Sequence, residues 1–159
     1  MTDTPQPKDF DGKVALVTGA SRGIGESTAR LLAARGAHVI VSSRRQESVD
    51  EVAGSIVQAG GQATAIACHV GDEEAIEAAF ARIAAEFGRL DVLVNNAATN
   101  PHFGHIAETP LTMVDKTVEV NIRGYFHASQ KAALMMRDGG GGAIVNVSSV
   151  NGERPGPMQ

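Results

Sequence analysis

Val14-Ala15-Leu16-Val17-Thr18-Gly19-Ala20-Ser21-Arg22-Gly23-Ile24-Gly25 is the stretch whose reading decides the fold. Its first four residues form an unbroken apolar run, the pattern of a strand covered on both faces. Three glycines follow at Gly-x-x-x-Gly-x-Gly spacing. From Ile24 to Arg35 the apolar positions Ile24, Thr28, Leu31 and Leu32 recur at helical spacing until Gly36 stops the helix. A strand that passes through bare glycines into a helix brings unpaired amides and the positive end of the helix dipole to one point. A diphosphate suits such a point. Side chains would hold it off, so Gly19, Gly23 and Gly25 divide three tasks: a tight turn, a close approach and close helix–strand packing. A purely structural strand–helix turn is the alternative for the motif taken alone.

The same alternation continues outward. His38 to Ser42 reads as a second strand and Gln46 to Gln58 as an amphipathic helix with Val49, Val52, Ala53, Ile56 and Val57 on one side. Ala63 to Ala67 is a third strand. Asp72 to Phe87 is a third helix with a stripe of Ala75, Ile76, Ala79, Phe80 and Ile83, and Asp72 is placed to cap it. Asp91 to Val94 is a fourth strand, Asn95 to Glu108 a loop, and Thr109-Pro110 a cap with proline in the first helical position. The helix beyond runs to about Met136, Gly139 to Gly142 connect, and Ala143 to Val147 is a fifth strand. Right-handed crossovers then predict an α/β fold, a doubly wound, Rossmann-like parallel sheet of order 3-2-1-4-5, incomplete on its C-terminal side. Residues 1–11 read as a flexible tail, 12–149 as one dinucleotide-binding domain and 150–159 as a truncated loop.

Bulk properties narrow the classes. A chain of 159 residues fits one domain, and a 20% charged share argues against disorder. Net charge is −4 with no basic stripe, which excludes nucleic acid as a partner. Cys68 is the sole cysteine, so no internal disulfide forms, and no metal-ligand spacing occurs. The polar first eleven residues lack a signal-peptide core, and no apolar run reaches the ~20 residues of a membrane span. The expectation is a cytoplasmic protein without membrane contact.

Four motifs carry a resemblance. Thr18-Gly19-Ala20-Ser21-Arg22-Gly23-Ile24-Gly25 resembles the cofactor turn of the short-chain dehydrogenase/reductase family, and Asn95-Asn96-Ala97-Ala98 resembles its Asn-Asn-Ala-Gly element. Asn121 in Val120-Asn121-Ile122-Arg123-Gly124 is similar to the family's helical asparagine. Ile144-Val145-Asn146-Val147-Ser148-Ser149 is similar to the strand that ends in its catalytic serine. The resemblance implies hydride transfer between a nicotinamide dinucleotide and a small carbonyl or secondary alcohol, and a homo-oligomer for the full-length parent. The closest likeness within the family is to carbonyl and retinal reductases and 3-oxoacyl-carrier-protein reductases.

The resemblance also implies the contacts. Gly19, Ser21, Arg22, Gly23, Ile24 and Gly25 hold the cofactor at the turn. In dinucleotide folds an acid at the end of the second strand holds the adenosine ribose. Here Ser43 stands in that place with Arg44 beside it, which favours NADP over NAD, because a guanidinium suits a 2′-phosphate. Solvated loop charges are the alternative for Arg44 and Arg45. His69 stands where the family usually has an aspartate at the adenine, and a ring nitrogen can act there as donor or acceptor. Val70, Asn96 and Ala97 complete the adenosine pocket, and Ala98 in place of glycine crowds it.

Ser149 is the expected catalytic serine, with Ser148 its alternative. Asn121 is the expected support of a water relay, or a mid-helix asparagine bonded to its own backbone. The family's Tyr-x-x-x-Lys pair is absent. The only tyrosine is Tyr125, a packing residue on this reading, and Ser129 stands four residues on. The chain as written is therefore expected to bind cofactor without turnover. A non-catalytic NADP-binding or regulatory module is the alternative. Val114, Val118, Leu134 and Met135 are expected to lack a covering helix, leaving the chain marginal in stability or prone to associate.

Overall fold

The computed structural model describes residues 8–154. Five strands, β1 (Val14–Thr18), β2 (His38–Ser43), β3 (Gln62–Ala67), β4 (Val92–Asn95) and β5 (Ala143–Asn146), form one parallel sheet of order β3-β2-β1-β4-β5. Helices α1 (Gly23–Ala34), α2 (Gln46–Gln58), α3 (Glu73–Phe87), α4 (Leu111–Val118) and α5 (Gly124–Asp138) lie in the crossovers. The strand order reverses between β1 and β4, so a crevice opens at the carboxyl ends of those strands. This is the doubly wound sheet the sequence predicts.

β1 is buried along its whole length, and its alternation divides the core. Val14 and Leu16 join Ile40, Ile66 and Leu93 against Ile76, Phe80 and Ile83 of α3 and Ala128 and Ala132 of α5. Ala15 and Val17 join Val39 and Val41 against Ala29 and Leu32 of α1 and Val49, Val52 and Ile56 of α2. The sheet is thus covered on both faces. At its amino-terminal end Asp91 accepts from Val14 N at 2.9 Å and Lys13 Nζ at 3.3 Å, and pairs with Arg89.

Several local expectations change. The buried stripe of α1 is Gly25, Ala29, Leu32 and Ala33, whereas Ile24 and Leu31 are exposed. Small residues face the sheet because α1 lies close against β1 at the glycine turn. Val57 of α2 is likewise exposed. Asp72 does cap α3, accepting from Glu74 N at 3.0 Å and Ala75 N at 3.2 Å. Pro110 occupies the cap position of α4 itself, with ψ 137°, and Thr109 Oγ1 donates back to His105 O at 3.2 Å.

The single helix expected as far as Met136 is two helices joined by a π-helical turn, Glu119–Arg123, with Asn121 at its centre. A Cβ on Gly124, just past that turn, would collide with the Val70 carbonyl, so the helix passes the end of β3 at backbone distance. Ile106–Glu108 forms a short 3-10 turn inside the expected loop.

Residues 8–11 and 150–154 make defined contacts at the two edges of the described chain. Phe10 N donates to Arg35 O at 3.1 Å, Asp9 pairs with Arg35, and the Phe10 side chain packs on the α1–α2 side of the core. Residues 1–7 and 155–159, the remainder of the expected tail and loop, lie outside the described residues. Val150–Gly152 is a 3-10 turn. β5 is an edge strand with all four residues exposed. Leu111, Val114, Val118, Ile122, Phe126 and Leu134 form an exposed apolar surface along α4 and α5, but Met135 packs into the core.

Candidate functional site

The site is organised by one buried hydroxyl. Thr18, at the carboxyl end of β1, donates from Oγ1 to Val94 O at 3.3 Å and accepts from Asn96 N at 3.0 Å and Ala97 N at 3.1 Å. Asn96 Nδ2 donates to Thr18 O at 2.9 Å and Gly19 O at 3.2 Å. The segment after β4 is therefore clamped onto the glycine turn after β1.

That clamp separates the three glycine tasks. Gly19 makes the turn at φ +63°, and a Cβ there would stand 2.7 Å from Ala97 Cα. Gly25 does the packing: its Cβ would lie 2.5 Å from both Gly19 O and Asn96 Nδ2. Gly23, at φ +61°, has nothing within 4 Å of that position and leaves the surface bare. Arg22 precedes α1 in extended conformation and no side chain caps the helix, so its first-turn amides remain available to an anion.

A cleft of about 900 Å³ opens at this point. Gly19, Ser21, Arg22, Gly23 and Ile24 line it from the turn, and Ser43 and Arg44 from the end of β2. His69 and Val70 line it from the end of β3, Asn96 and Ala97 from the end of β4. Eleven of the twelve expected cofactor contacts thus share one cavity. Gly25 is the exception, because it is buried against Gly19 and Asn96.

Arg45, Ser48, Cys68, Thr99, Lys116 and Val120 also line the cleft, as does Ala98, which the sequence marks only as a crowding departure. Arg45 adjoins Arg44, and Ser48 follows in the first turn of α2, so helical spacing carries a signal for both. Nothing local points to Lys116, which reaches the cleft from α4 while pairing with Glu119 at 2.6 Å. That ammonium holds the Glu119 carboxyl below its ordinary range. Burial, with the Asp72 charge nearby, pushes the Cys68 thiol up to about 11, which makes it a poor nucleophile at neutral pH.

Asn121 and Ser149 do not line this cleft. Asn121 bonds a distant backbone rather than its own. Its Oδ1 accepts from Thr99 N and its Nδ2 donates to Thr99 O, both at 2.8 Å. Thr99, in turn, lines the cleft. Ser149 is exposed beyond β5, where its Oγ accepts from Asn151 N at 3.2 Å and caps the last 3-10 turn; Ser148 is exposed beside it. Tyr125 is a packing residue: burial raises its pKa, and the hydroxyl donates to Val147 O at 3.3 Å. Asn95 opens the Asn95-Asn96-Ala97-Ala98 element but is given no role by the sequence; it is buried and donates from Nδ2 to Ser129 Oγ and Asn146 Oδ1, both at 2.9 Å, tying β4 to α5 and β5.

Bare Gly23, the uncapped amides of α1 and the arginines beyond β2 fit a nucleotide diphosphate, and the end of β2 carries no carboxylate. The parallel sheet, its order and its flanking helices define a Rossmann-like domain with a cleft at the switch point of the strand order. The short chain dehydrogenase family model matches residues 13–159, and the chain belongs to the short-chain dehydrogenase/reductase family.

Dehydrogenase/reductase SDR family member 4 of Sus scrofa is 40% identical over 156 residues, covering 98% of this chain and 56% of the relative. An uncharacterized oxidoreductase of Thermotoga maritima is 42% identical over 144 residues, 91% of this chain and 56% of the relative. Among solved structures, NAD+-bound xylitol dehydrogenase superposes with TM-score 0.90 at 31% identity, covering 94% of this chain and 58% of that one. A metagenomic short-chain oxidoreductase in complex with NADP superposes with TM-score 0.88 at 37% identity, covering 92% and 66%. The chain spans little more than half the length of these curated relatives. No helix among the described residues is long and apolar enough to cross a membrane.

Proposed function

We propose that this chain is the NADP-binding part of an oxidoreductase that moves a hydride between nicotinamide and a small carbonyl or secondary alcohol. One observation carries the reading: the uncapped amino terminus of α1, with Gly23 bare, and the arginine-flanked end of β2 line the same cleft. The amides of α1 take the diphosphate. Ser43, Arg44 and Arg45 take the adenosine ribose and its 2′-phosphate, where an arginine fork pairs with the dianion and no carboxylate repels it. The bound nicotinamide supplies or accepts the hydride.

In this reading Ser149 orients the substrate oxygen from the carboxyl end of β5. Asn121 is a positioning residue that acts through Thr99, since both of its amide atoms hold that backbone. Domain 12–149 is the working unit. A cytoplasmic setting and self-association of the parent protein belong to the same proposal, the latter supported by the exposed apolar surface along α4 and α5.

A second reading concerns the 159-residue polypeptide by itself: it binds NADP without turnover, as a binding or regulatory module. The favouring observation is that its one tyrosine spends its hydroxyl on Val147 O and has Ser129, not lysine, four residues on. A general acid is worth about 10²–10⁴ in rate. Calorimetric titration with NADPH and NADH tests the first claim, and NADPH binding about tenfold tighter is expected, on the order of one charge-assisted phosphate contact. No binding of either nucleotide at millimolar concentration overturns it. NADPH consumption with a panel of carbonyl compounds tests the second, and turnover at ordinary enzyme rates would refute it.

A further inference from the structure

The cleft has a wall that neither the glycine turn nor the arginines occupy. Cys68, His69 and Val70 form it where the chain leaves β3. With the diphosphate at α1 and the phosphorylated ribose at the end of β2, that wall is left for the base. Cys68 and Val70 are buried and offer no strong hydrogen-bonding side chain, so the half-buried His69 supplies the polar side chain of this wall.

The ring of His69 is held in one tautomer. Gly71 N donates to His69 Nδ1 at 3.0 Å, so Nδ1 is an acceptor and cannot carry the proton of a neutral imidazole. For a neutral ring this bond leaves Nε2 as the N–H, and Nε2 has no hydrogen-bond partner among the described residues. Glu119 is the nearby carboxylate, crowded with the His69 ring around Gly71, but it is engaged by Lys116 at 2.6 Å. We infer that His69 reads the cofactor base as a hydrogen-bond donor, through Nε2–H, so that the site selects a base by its ring-nitrogen acceptor and not by its exocyclic amine. This rests on the proposed cofactor reading and adds the polarity of base recognition to it.

The replacements that separate donor from acceptor also preserve the turn. An aspartate or asparagine at position 69 can still accept from Gly71 N, the i to i+2 bond of an Asx turn. Toward the base, His69→Asn keeps a donor, whereas His69→Asp offers only an acceptor. A suitable probe is an NADPH analogue with unsubstituted purine in place of adenine, which keeps the ring acceptors and lacks the 6-amino donor.

Two measurements on the native chain and both variants test this. Long-range ¹H–¹⁵N spectra near pH 8, above the ordinary imidazole range, should show the native His69 protonated on Nε2. Calorimetry should show native chain and His69→Asn binding NADPH and the purine analogue within about threefold of each other, while His69→Asp favours NADPH by about tenfold, the scale of one lost hydrogen bond. A proton on Nδ1, or a native chain that loses about tenfold on removal of the amine, overturns the inference and leaves the cofactor reading intact. Failure of both nucleotides to bind the native chain removes the cofactor reading and this inference with it.

Discussion

Thr18 and Asn96 are joined twice: Asn96 N donates to Thr18 Oγ1 at 3.0 Å, and Asn96 Nδ2 donates to Thr18 O at 2.9 Å. The pair closes 78 residues of chain onto one point and fixes the segment after β4 against the glycine turn. Thr18→Val keeps the buried shape and removes the acceptor of two amides, those of Asn96 and Ala97. A loss of about 1–3 kcal/mol is expected, the cost of leaving buried donors unpaired. Urea unfolding followed by circular dichroism measures it, and an unchanged midpoint would show that the clamp contributes nothing.

The three glycines should fail in different ways. Gly25→Ala places a methyl 2.5 Å from Gly19 O and from Asn96 Nδ2, so it should lower stability by roughly 2 kcal/mol or more, as overpacking does. Gly23→Ala meets no atom within 4 Å and carries only the left-handed backbone cost of about 1–2 kcal/mol. It should nevertheless weaken NADPH at least tenfold, because the methyl enters the cleft. Thermal unfolding and nucleotide titration, run on both variants, separate packing from binding. Equal effects of the two on both readouts would contradict this division.

Arg44→Ala should loosen NADPH by about tenfold and leave NADH within about twofold, since only the former carries the dianion that a guanidinium pairs with. Equal weakening of both nucleotides would instead identify Arg44 as a general contact of the cleft.

Asp91 sets a pH dependence of stability. Burial disfavours its carboxylate, but the Arg89 side chain, the Val14 amide and Lys13 outweigh this and hold its pKa below the ordinary 3.8. The unfolded chain thus binds this proton more readily than the folded one. The stabilisation is fully present above about pH 4 and is lost as pH falls from there through the folded value. Asp91→Asn should cost about 1–3 kcal/mol at pH 7 and reduce the fall in stability between pH 5 and 2. Chemical denaturation at several pH values reads both effects, and a parallel acid profile in the variant would assign the fall to other carboxyls.

The Cys68 thiol, pushed up to about 11 by burial, should resist a disulfide reagent at pH 8 in the folded chain and react within seconds once unfolded. Saturating NADPH should slow the native reaction further, because Cys68 borders the cleft. Rapid labelling of the folded, nucleotide-bound protein is the contrary result.

Much of this was legible along the chain, because periodicity is local. Val14 to Val17 announces a strand buried on both faces, the stripe from Ile76 to Ile83 announces α3, and regular alternation leaves a parallel sheet as the outcome. Glycine spacing and the arginine after Ser43 point to residues that line one cleft at the carboxyl end of the sheet. Errors fall where a neighbour distant in sequence decides the matter. The buried face of α1 follows Gly25 and Ala29 rather than Ile24 and Leu31, because β1 and the segment after β4 come close enough to admit only small residues.

Tertiary structure alone decided that Gly25 packs while Gly23 stays bare, and that Lys116 reaches the cleft from α4. It likewise decided that Asn121 holds Thr99 from a π-helical turn, and that the His69 ring is pinned by Gly71. The physical reason is common to all of these. Which strand, which turn and which charge are written in spacings of two to four residues. Which atoms meet depends on hydrogen bonds and hard contacts between segments brought together by the sheet, and no local pattern encodes those distances.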